Sequence, residues 1–218
     1  MNKVLIIGSN SFAGSDFADH LLSKKFEVYG VSRNKEINKE HLRYKNNINL
    51  KNFKFFKIDL NLKKDLNKLI KLIKKQKISY IVNFAAQGMV AESWINPQDW
   101  YLTNVVSNSI LIKELSKLKI KKYLNFSTPE VYGHTSYLMK ESNIFAPTTP
   151  YAISRSAQDL NLLAHYKTYN FPVVFTRAAN IYGPYQQSFR IIPKIIISIL
   201  TNKKIPIHGK GDTLRSFV

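Results

Sequence analysis

The sequence predicts an α/β fold built on a parallel β-sheet with helices on both faces. Short apolar runs alternate with helix-length amphipathic segments along the 218 residues. The runs are apolar at consecutive positions, which is typical of strands that are buried on both faces. Small residues follow the first, fourth and fifth runs, at the edge of the sheet where such folds bind ligands. A hydrophobic content of 44% suits one large core and excludes a disordered, collagenous or coiled-coil chain.

Each element is predicted from its own pattern. Val4-Leu5-Ile6-Ile7 is the first strand, and the glycine after it marks the turn into a helix over 14–25. A lysine-rich helix over 63–77 has an apolar stripe of Leu62, Leu66, Leu69, Ile70 and Ile73. The other strands are predicted at 27–32, 53–58, 80–84, 122–127 and 172–177, and the other helices at 97–119, 151–170 and 191–201. The sequence stops at Val218 in a segment with the pattern of a further strand.

The net charge of +19 raises the question of an anionic partner. The excess is mostly lysine spread along helical faces, and the whole chain is rich in Lys, Asn and Ile. These features favour a solvated basic surface over a functional basic patch. A nucleic-acid binder is the weakest alternative, because the motif positions hold neither an aromatic platform nor a recognition helix.

Composition also limits the chemistry and the location. The chain has no cysteine, which excludes disulfides, thiolate zinc sites and a cysteine nucleophile. No metal-ligand spacing connects its five histidines, so no metal is expected. The longest apolar run, over 191–200, is shorter than the roughly 20 residues of a membrane span, and the N-terminus lacks the pattern of a signal peptide. These features predict a cytoplasmic protein without a membrane partner.

The segment Gly8-Ser9-Asn10-Ser11-Phe12-Ala13-Gly14 joins the first strand to the first helix. Backbone N–H groups at such a helix start can hold the pyrophosphate of a dinucleotide. Gly8 permits the tight turn and Gly14 lets the helix pack close to the sheet, whereas Ser11 occupies the middle position of the spacing G-x-x-G-x-x-G. The position of this turn after a buried first strand predicts dinucleotide binding. A plain strand-to-helix turn is the alternative.

The end of the second strand indicates which dinucleotide is held. A carboxylate there would accept a hydrogen bond from the ribose of NAD, whereas a cation would pair with the 2′-phosphate of NADP. The strand ends Val31-Ser32-Arg33 without a carboxylate, which favours NADP. Asp59, after the third strand, either faces the adenine or caps the following helix.

Two further segments carry groups suited to acid–base chemistry. Thr128 and Glu130 follow the fifth strand, and Tyr151 and Arg155 lie four residues apart at the start of the long helix. Residues at this spacing share a helical face, so the Arg155 guanidinium would favour the ionised form of the Tyr151 phenol. Thr128 could bond the same carbonyl or alcohol, and Glu130 could remove a proton next to a carbonyl. Each residue alone has a structural explanation, but their joint occurrence with the glycine turn predicts a catalytic site.

Together these segments resemble the extended short-chain dehydrogenase/reductase family, and within it the nucleotide-sugar 4,6-dehydratases. The resembling motifs occur in the same order: the turn over 8–14, Asn83-Phe84-Ala85-Ala86-Gln87, Asn104, residues 127–133, Pro150-Tyr151-Ala152-Ile153-Ser154-Arg155, residues 177–184 and residues 209–218. The resemblance implies a Rossmann-type doubly wound sheet in a dinucleotide-binding domain over 1–178. Residues 179–218 would begin a substrate lobe that this chain does not complete.

The resemblance implies a reaction cycle on one bound NAD or NADP. Tyr151, helped by Thr128, would deprotonate the sugar C4 hydroxyl as hydride leaves C4, and Glu130 would remove the C5 proton as water leaves from C6. A nucleotide-sugar substrate and a homodimer formed through two long helices are also implied. The expected cofactor contacts are Gly8, Ser11, Phe12, Ala13, Gly14, Arg33, Asp59, Leu60, Ala85, Ala86, Tyr151 and Arg155. The expected substrate contacts are Gln87, Asn104, Asn180, Arg190 and Arg215.

Two positions depart from the dehydratase pattern. Arg155 stands where the family has a lysine that also bonds the nicotinamide ribose, and the planar guanidinium changes that geometry. Pro129 stands where the dTDP-glucose enzymes have an aspartate that protonates the departing hydroxyl. The GDP-mannose enzymes also lack this aspartate. Glu130 favours a dehydratase over the related 4-epimerases, which need no base there. A 4-epimerase or reductase, or a catalytically silent dinucleotide-binding module, remains the alternative.

Overall fold

A computed structural model of the chain describes residues 2–135, 139–205 and 216–218. Six parallel strands form one sheet in the order β3-β2-β1-β4-β5-β6. The strands are β1 (Lys3–Ile7), β2 (Glu27–Ser32), β3 (Phe53–Lys57), β4 (Tyr80–Asn83), β5 (Lys122–Phe126) and β6 (Val173–Thr176). The strand order reverses at β1, with β2 on one side of it and β4 on the other. This topology confirms the predicted Rossmann-type α/β fold.

The helices are α1 (Phe12–Ser23), α2 (Lys63–Gln76), α3 (Pro97–Trp100), α4 (Asn108–Leu115), α5 (Pro150–Tyr169) and α6 (Ile191–Leu200). A π-helical stretch, Tyr101–Ser107, joins α3 to α4. The helix predicted over 97–119 is therefore present over 97–115, but the π-helical stretch interrupts its α-helical geometry. Asn108 Nδ2 donates to the Thr103 carbonyl oxygen at 2.9 Å, so a side chain occupies a carbonyl that a regular helix would pair with its own backbone.

The core lies in two apolar layers, one on each face of the sheet. Leu5 and Ile7 of β1 face a layer that α2, α4 and α5 complete. Val4 and Ile6 face the opposite layer with Leu22 of α1. Since successive side chains of a strand point to opposite faces, β1, which lies between two helical layers, is apolar at consecutive positions.

Helix α2 presents its lysines to solvent and its apolar stripe to the sheet. Leu66, Leu69, Ile70 and Ile73 are buried, and the lysines at 63, 64, 68, 71, 74, 75 and 77 are exposed. Leu62 was predicted to belong to the stripe, but it is 55% exposed. It is the N-cap residue, with an extended backbone, and so lies outside the helical periodicity that buries the stripe. The lysine face therefore lies in solvent, as the amphipathic pattern predicts.

The C-terminal part of the described chain forms a looser layer. Val218 donates its N–H to the Asn180 carbonyl at 3.0 Å, and Tyr182 donates to the Val218 carbonyl at 3.2 Å. The further strand predicted at Val218 is thus a single parallel bridge, Asn180 to Phe217. Ile199 and Leu200 of α6 are 69% and 79% exposed. In the segments that the structure describes, no helix has both the length and the apolar character needed to span a membrane.

The difference between Leu69 and Leu62 can be measured in one helix. Leu69 is fully buried, so Leu69→Ala should lower the free energy of unfolding by about 2–5 kcal/mol. Leu62→Ala removes the same atoms from an exposed site and should change it by less than about 0.5 kcal/mol. Equilibrium urea denaturation measures both, and equal losses would contradict the assigned orientation of α2.

Candidate functional site

The turn after β1 requires both of its glycines. Gly8 has a φ of +89°, and a Cβ built on it would lie 2.7 Å from the backbone nitrogen of Ala85. A Cβ on Gly14 would overlap the carbonyl oxygen of Gly8. Gly8 also donates its N–H to the Val31 carbonyl at 2.7 Å. The turn therefore lies in close contact with the chain after β4 and with the end of β2.

Ser11 caps α1, a role that the glycine spacing did not predict. Its hydroxyl donates to the Gly8 carbonyl oxygen at 2.7 Å and accepts from the Gly14 N–H at 3.0 Å. The side chain is therefore held against the helix start. Among the described residues, no group accepts from the N–H groups of Phe12 and Ala13, which leaves these two donors available to an anion.

The end of β2 and the residues after it are hydrogen-bonded to the glycine turn through Asn10. Ser32 Oγ accepts from the Asn10 N–H at 2.9 Å, and Asn10 Nδ2 donates to the Lys35 carbonyl at 2.8 Å. Asn10 was missed in the sequence, where it is an unremarkable residue of the glycine turn. The next residue after Ser32 is Arg33, which is exposed. Its guanidinium forms no ion pair with any residue that the structure describes.

A cavity of about 270 Å³ lies at this carboxyl edge of the sheet. It brings together eight of the predicted contact residues, namely Gly8, Ser11, Arg33, Asp59, Leu60, Ala85, Ala86 and Gln87. Its lining also includes Asn61 and Thr103, which the sequence analysis missed. Asn61 Nδ2 donates to Thr103 Oγ1 at 3.0 Å, so the π-helical stretch forms part of the wall. Asn61 could have been found from its position in the sequence, because it lies two residues after Asp59 and close to the end of β3.

Asp59 does not cap the helix that follows it. Its Oδ1 accepts from the Asn61 N–H at 3.0 Å, and its own N–H donates to Asp65 Oδ2 at 3.1 Å. The N-cap residue of α2 is Leu62, which has no side-chain acceptor. Of the two alternatives for Asp59, the structure therefore excludes the helix cap and leaves the carboxylate on the cavity wall.

Asn104 is fully buried in the π-helical stretch, and its amide group is used inside the protein. Oδ1 accepts from the Gln87 N–H at 2.8 Å. Nδ2 donates to the Gln87 carbonyl at 3.0 Å and to Ser154 Oγ at 2.9 Å. Direct contact between Asn104 and a ligand was expected, but the side chain instead fixes Gln87 to α5. Gln87 is the residue of this pair that lines the cavity.

Thr128 and Glu130 lie on a short 3₁₀ turn, Pro129–Tyr132, directly after β5. Thr128 is the N-cap residue and Pro129 occupies the first helical position, where its missing N–H has no cost. Thr128 is buried and Glu130 is half-buried. Gly133 ends the turn with a φ of +78° and lies directly against the Ala146 carbonyl oxygen. The turn packs against α5.

Tyr151 lies in the first turn of α5, the helix that packs against this 3₁₀ turn. Thr149 caps the helix by accepting from the Ala152 N–H at 3.1 Å, and Ser93 Oγ accepts from the Tyr151 N–H at 3.2 Å. The Tyr151 side chain is half-buried. The backbone on both sides of this residue is therefore fixed by side-chain acceptors.

Arg155 is 2% exposed and turns toward the sheet. Its Nη2 donates to the Phe126 carbonyl oxygen at the end of β5. Burial raises the pKa of Tyr123 on the same strand, and the charge of Arg155 acts in the opposite direction. In the described part of the chain, no hydrogen bond or cation–π contact joins Arg155 to the Tyr151 ring. The predicted pairing of phenol and cation is thus replaced by a contact between the cation and the end of β5.

Three predicted substrate contacts lie away from the cavity or outside the described residues. Asn180 is exposed and donates to the Ser216 carbonyl at 2.9 Å. Arg190 is exposed and its guanidinium lies 5.2 Å from the centre of the Phe189 ring. Arg215 and the segment 209–212 lie outside the described residues. Within the described segments, no three His, Asp or Glu side chains are grouped as a metal site requires.

The chain matches a family model described as GDP-mannose 4,6 dehydratase over residues 5–218. It is 34% identical to a dTDP-D-glucose 4,6-dehydratase of Dictyostelium discoideum, an alignment that covers 100% of this chain and 52% of the relative. The chain therefore spans about half the length of this curated relative.

Solved structures of two activities are similar to this fold. A dTDP-glucose 4,6-dehydratase from Streptomyces venezuelae, solved with NAD bound, has a TM-score of 0.88 and 28% identity over 99% of this chain and 67% of that one. A UDP-N-acetylglucosamine 4-epimerase from Methanobrevibacter ruminantium has a TM-score of 0.87 and 29% identity over 100% of this chain and 68% of that one. The fold alone therefore does not separate dehydration from epimerisation.

The cap at Ser11 can be tested by two substitutions. Ser11→Ala should lower the free energy of unfolding by about 1 kcal/mol, because the Gly14 N–H loses its acceptor. Ser11→Gly, which restores the three-glycine spacing, should lower the free energy of unfolding by only about 0.3 kcal/mol. Urea denaturation measures the difference, with Ser23→Ala near the end of the same helix as the control. An unchanged stability in Ser11→Ala would show that the hydroxyl is not a cap.

Proposed function

The chain belongs to the GDP-mannose 4,6-dehydratase family, which agrees with the resemblance seen in its motifs, and we propose that it is a nucleotide-sugar 4,6-dehydratase. The observation that carries the proposal is the capped turn after β5, which presents Glu130 beside the helix that begins at Pro150 and carries Tyr151. A 4-epimerase needs the tyrosine but no carboxylate base on that turn. Glu130 is therefore the feature that favours dehydration.

The cavity at the sheet edge would hold part of a nicotinamide dinucleotide, and its lining does not include Tyr151 or Glu130. The two glycines keep the backbone of the turn close to the neighbouring strands, and the N–H groups of Phe12 and Ala13 have no acceptor among the described residues. Such donors suit a pyrophosphate. A bound nicotinamide would supply reversible hydride transfer. Ala85 and Ala86 would face the nicotinamide half, since both line the cavity beside the turn.

The protein's own residues would move the protons. Tyr151 accepts the proton of the sugar C4 hydroxyl, and the Thr128 hydroxyl bonds the same oxygen. The resulting C4 ketone acidifies the C5 hydrogen, whose proton passes to Glu130. The C6–O bond then breaks as a C5–C6 double bond forms, and the hydroxyl leaves as water. Return of hydride to C6 and addition of a solvent proton at C5 would complete the 4-keto-6-deoxy product. Pro129 offers no acid for that hydroxyl, so Glu130 is the carboxyl group on this turn able to return the proton.

The substrate would lie between the dinucleotide-binding domain, residues 1–178, and the lobe that begins at 179. Gln87 would contact it from the cavity wall, and Asn104 would act through Gln87. Asn180, Arg190 and Arg215 are proposed to approach the nucleotide phosphates, for which the two cations provide the complementary charge.

A homodimer is proposed on the basis of an exposed apolar face. Leu102, Val106 and Ile110 are spaced four residues apart through the π-helical stretch and α4, and each is at least 44% exposed. Ile153 and Leu160 of the neighbouring α5 are also exposed. A second copy of this face would bury these side chains.

A cytoplasmic location is proposed from the absence of cysteine.

The role of Glu130 is tested with a panel of dTDP-glucose, GDP-mannose and UDP-glucose. The wild-type chain with bound dinucleotide should convert one of them to a 4-keto-6-deoxy product. Glu130→Gln should slow that conversion by about 100-fold or more, because a general base is lost, while dinucleotide affinity stays unchanged. Mass spectrometry of the sugar nucleotide detects the loss of water.

The matched control is Glu40→Gln, the same change at an exposed position that does not line the cavity. It should leave the rate unchanged. Product formation by Glu130→Gln at the wild-type rate would remove Glu130 from the mechanism. Interconversion of C4 epimers without loss of water would identify the protein as an epimerase.

The end of β2 supports NADP as the preferred cofactor, although similar structures were solved with NAD. Arg33 lines the cavity without an ion-pair partner among the described residues, and no carboxylate ends the strand. Arg33→Ala should weaken NADP binding by about tenfold or more, since a hydrogen bond to a charged group contributes about 1.5–3 kcal/mol. NAD binding should hardly change. Isothermal titration calorimetry measures the affinities for both dinucleotides, with Lys35→Ala as the neighbouring control. Tighter binding of NAD than of NADP by the wild type would contradict the preference for NADP.

A further inference from the structure

We propose that Asp159 and Arg177 form a positioning pair that holds the Glu130 turn in register with Tyr151. Neither residue faces the cavity at the sheet edge, so neither is assigned a contact with the dinucleotide. The pair instead connects β5, the residue after β6, and α5. The inference rests on the proposed function for its chemical consequence. Its structural part can be tested separately.

The carboxylate of Asp159 is completely buried in the third turn of α5. Oδ2 accepts from Ser127 Oγ at 2.7 Å and from Arg177 Nη2 at 2.8 Å. Oδ1 accepts from Asn125 Nδ2 at 3.0 Å. Ser127 directly precedes Thr128, so the carboxylate fixes the start of the catalytic turn to the same helix that carries Tyr151. A buried carboxylate with three donors is held in one orientation.

Arg177 fixes the other end of that turn. Its Nη1 donates to the Tyr132 hydroxyl at 3.1 Å, and Tyr132 is the last residue of the 3₁₀ turn. The guanidinium also lies 5.3 Å from the centre of the Tyr132 ring and 5.2 Å from that of Phe145. A flat cation between aromatic faces and a carboxylate has little freedom to rotate. Glu130 therefore lies on a turn that is held before it by Ser127 and after it by Tyr132.

Removal of either charged partner is a poor test of this role. A single substitution at Asp159 or Arg177 would leave the other charge buried and unpaired, which destabilises the whole fold. Tyr132→Phe is a better probe, because it keeps the ring and the ion pair. It removes only the oxygen that accepts from Arg177 and from the Ser142 N–H at 3.2 Å. The matched control is Tyr44→Phe, which removes a buried hydroxyl bonded to Glu36 on the opposite face of the sheet.

The structural consequence is measured by hydrogen–deuterium exchange of the full chain. In Tyr132→Phe the amide protons of Val131 and Gly133, which close the turn on Thr128 and Glu130, should exchange at least about fivefold faster. Exchange in the turn over 8–14 should not change. Tyr44→Phe should leave the amide protons of residues 130–133 at the wild-type rate. Unchanged exchange at 130–133 in Tyr132→Phe would overturn the proposal.

The chemical consequence is that elimination, which depends on Glu130, slows more than oxidation at C4, which depends on Tyr151. With whichever of dTDP-glucose, GDP-mannose and UDP-glucose the wild type converts, Tyr132→Phe should lower kcat about tenfold and leave KM within about twofold. The fraction of reduced dinucleotide in the steady state should rise, because C4 oxidation depends on Tyr151 and elimination depends on Glu130. Equal loss at both steps would mean that the pair is structural only.

The two measurements separate the inference from the proposed function. A wild type that converts none of the three sugar nucleotides, together with faster exchange at 130–133 in Tyr132→Phe, refutes the dehydratase and retains the positioning pair. A wild type that forms the keto product, together with unchanged exchange and unchanged kcat in the variant, retains the dehydratase and refutes the pair.

Discussion

Parallel pairing of β1 with β2 and β4 is the constraint on which the rest of the structure depends. It places the glycine turn between the ends of two neighbouring strands, where Gly8 donates to Val31 and lies against Ala85 with no room for a Cβ. The same direction of β5 places Thr128 and Glu130 at that edge. The site is therefore a consequence of strand direction, and its residues come from segments far apart in the sequence.

Buried polar side chains then set the distances between those segments. Asn104 attaches the residues after β4 to α5, and Asp159 attaches the residues after β5 to the same helix. Such groups cost free energy to bury and stabilise the fold only when every donor and acceptor is paired. Both side chains meet this condition. Helix α5 is thus the common support for the cavity wall, the turn that carries Glu130, and Tyr151.

The sequence predicted the strands to within one residue at each end. A central strand such as β1, covered on both faces, leaves a continuous apolar run, whereas the edge strand β3 includes the exposed Lys54 and Lys57. Its motifs also predicted the family correctly. The π-helical stretch, the cap at Ser11 and the burial of Arg155 were missed. Each depends on which distant backbone group a side chain reaches, as when Arg155 bonds the Phe126 carbonyl rather than facing Tyr151. Spacing along a helix gives the face of a residue but not its partner.

A crystal structure of the chain with a nicotinamide dinucleotide and a nucleoside diphosphate tests the central claim most directly. The account predicts a pyrophosphate on the N–H groups of Phe12 and Ala13, and a nicotinamide ring with the Tyr151 hydroxyl and the Glu130 carboxylate beside the same face. A dinucleotide bound elsewhere, or a Tyr151 hydroxyl and a Glu130 carboxylate on opposite sides of the ring, would contradict it.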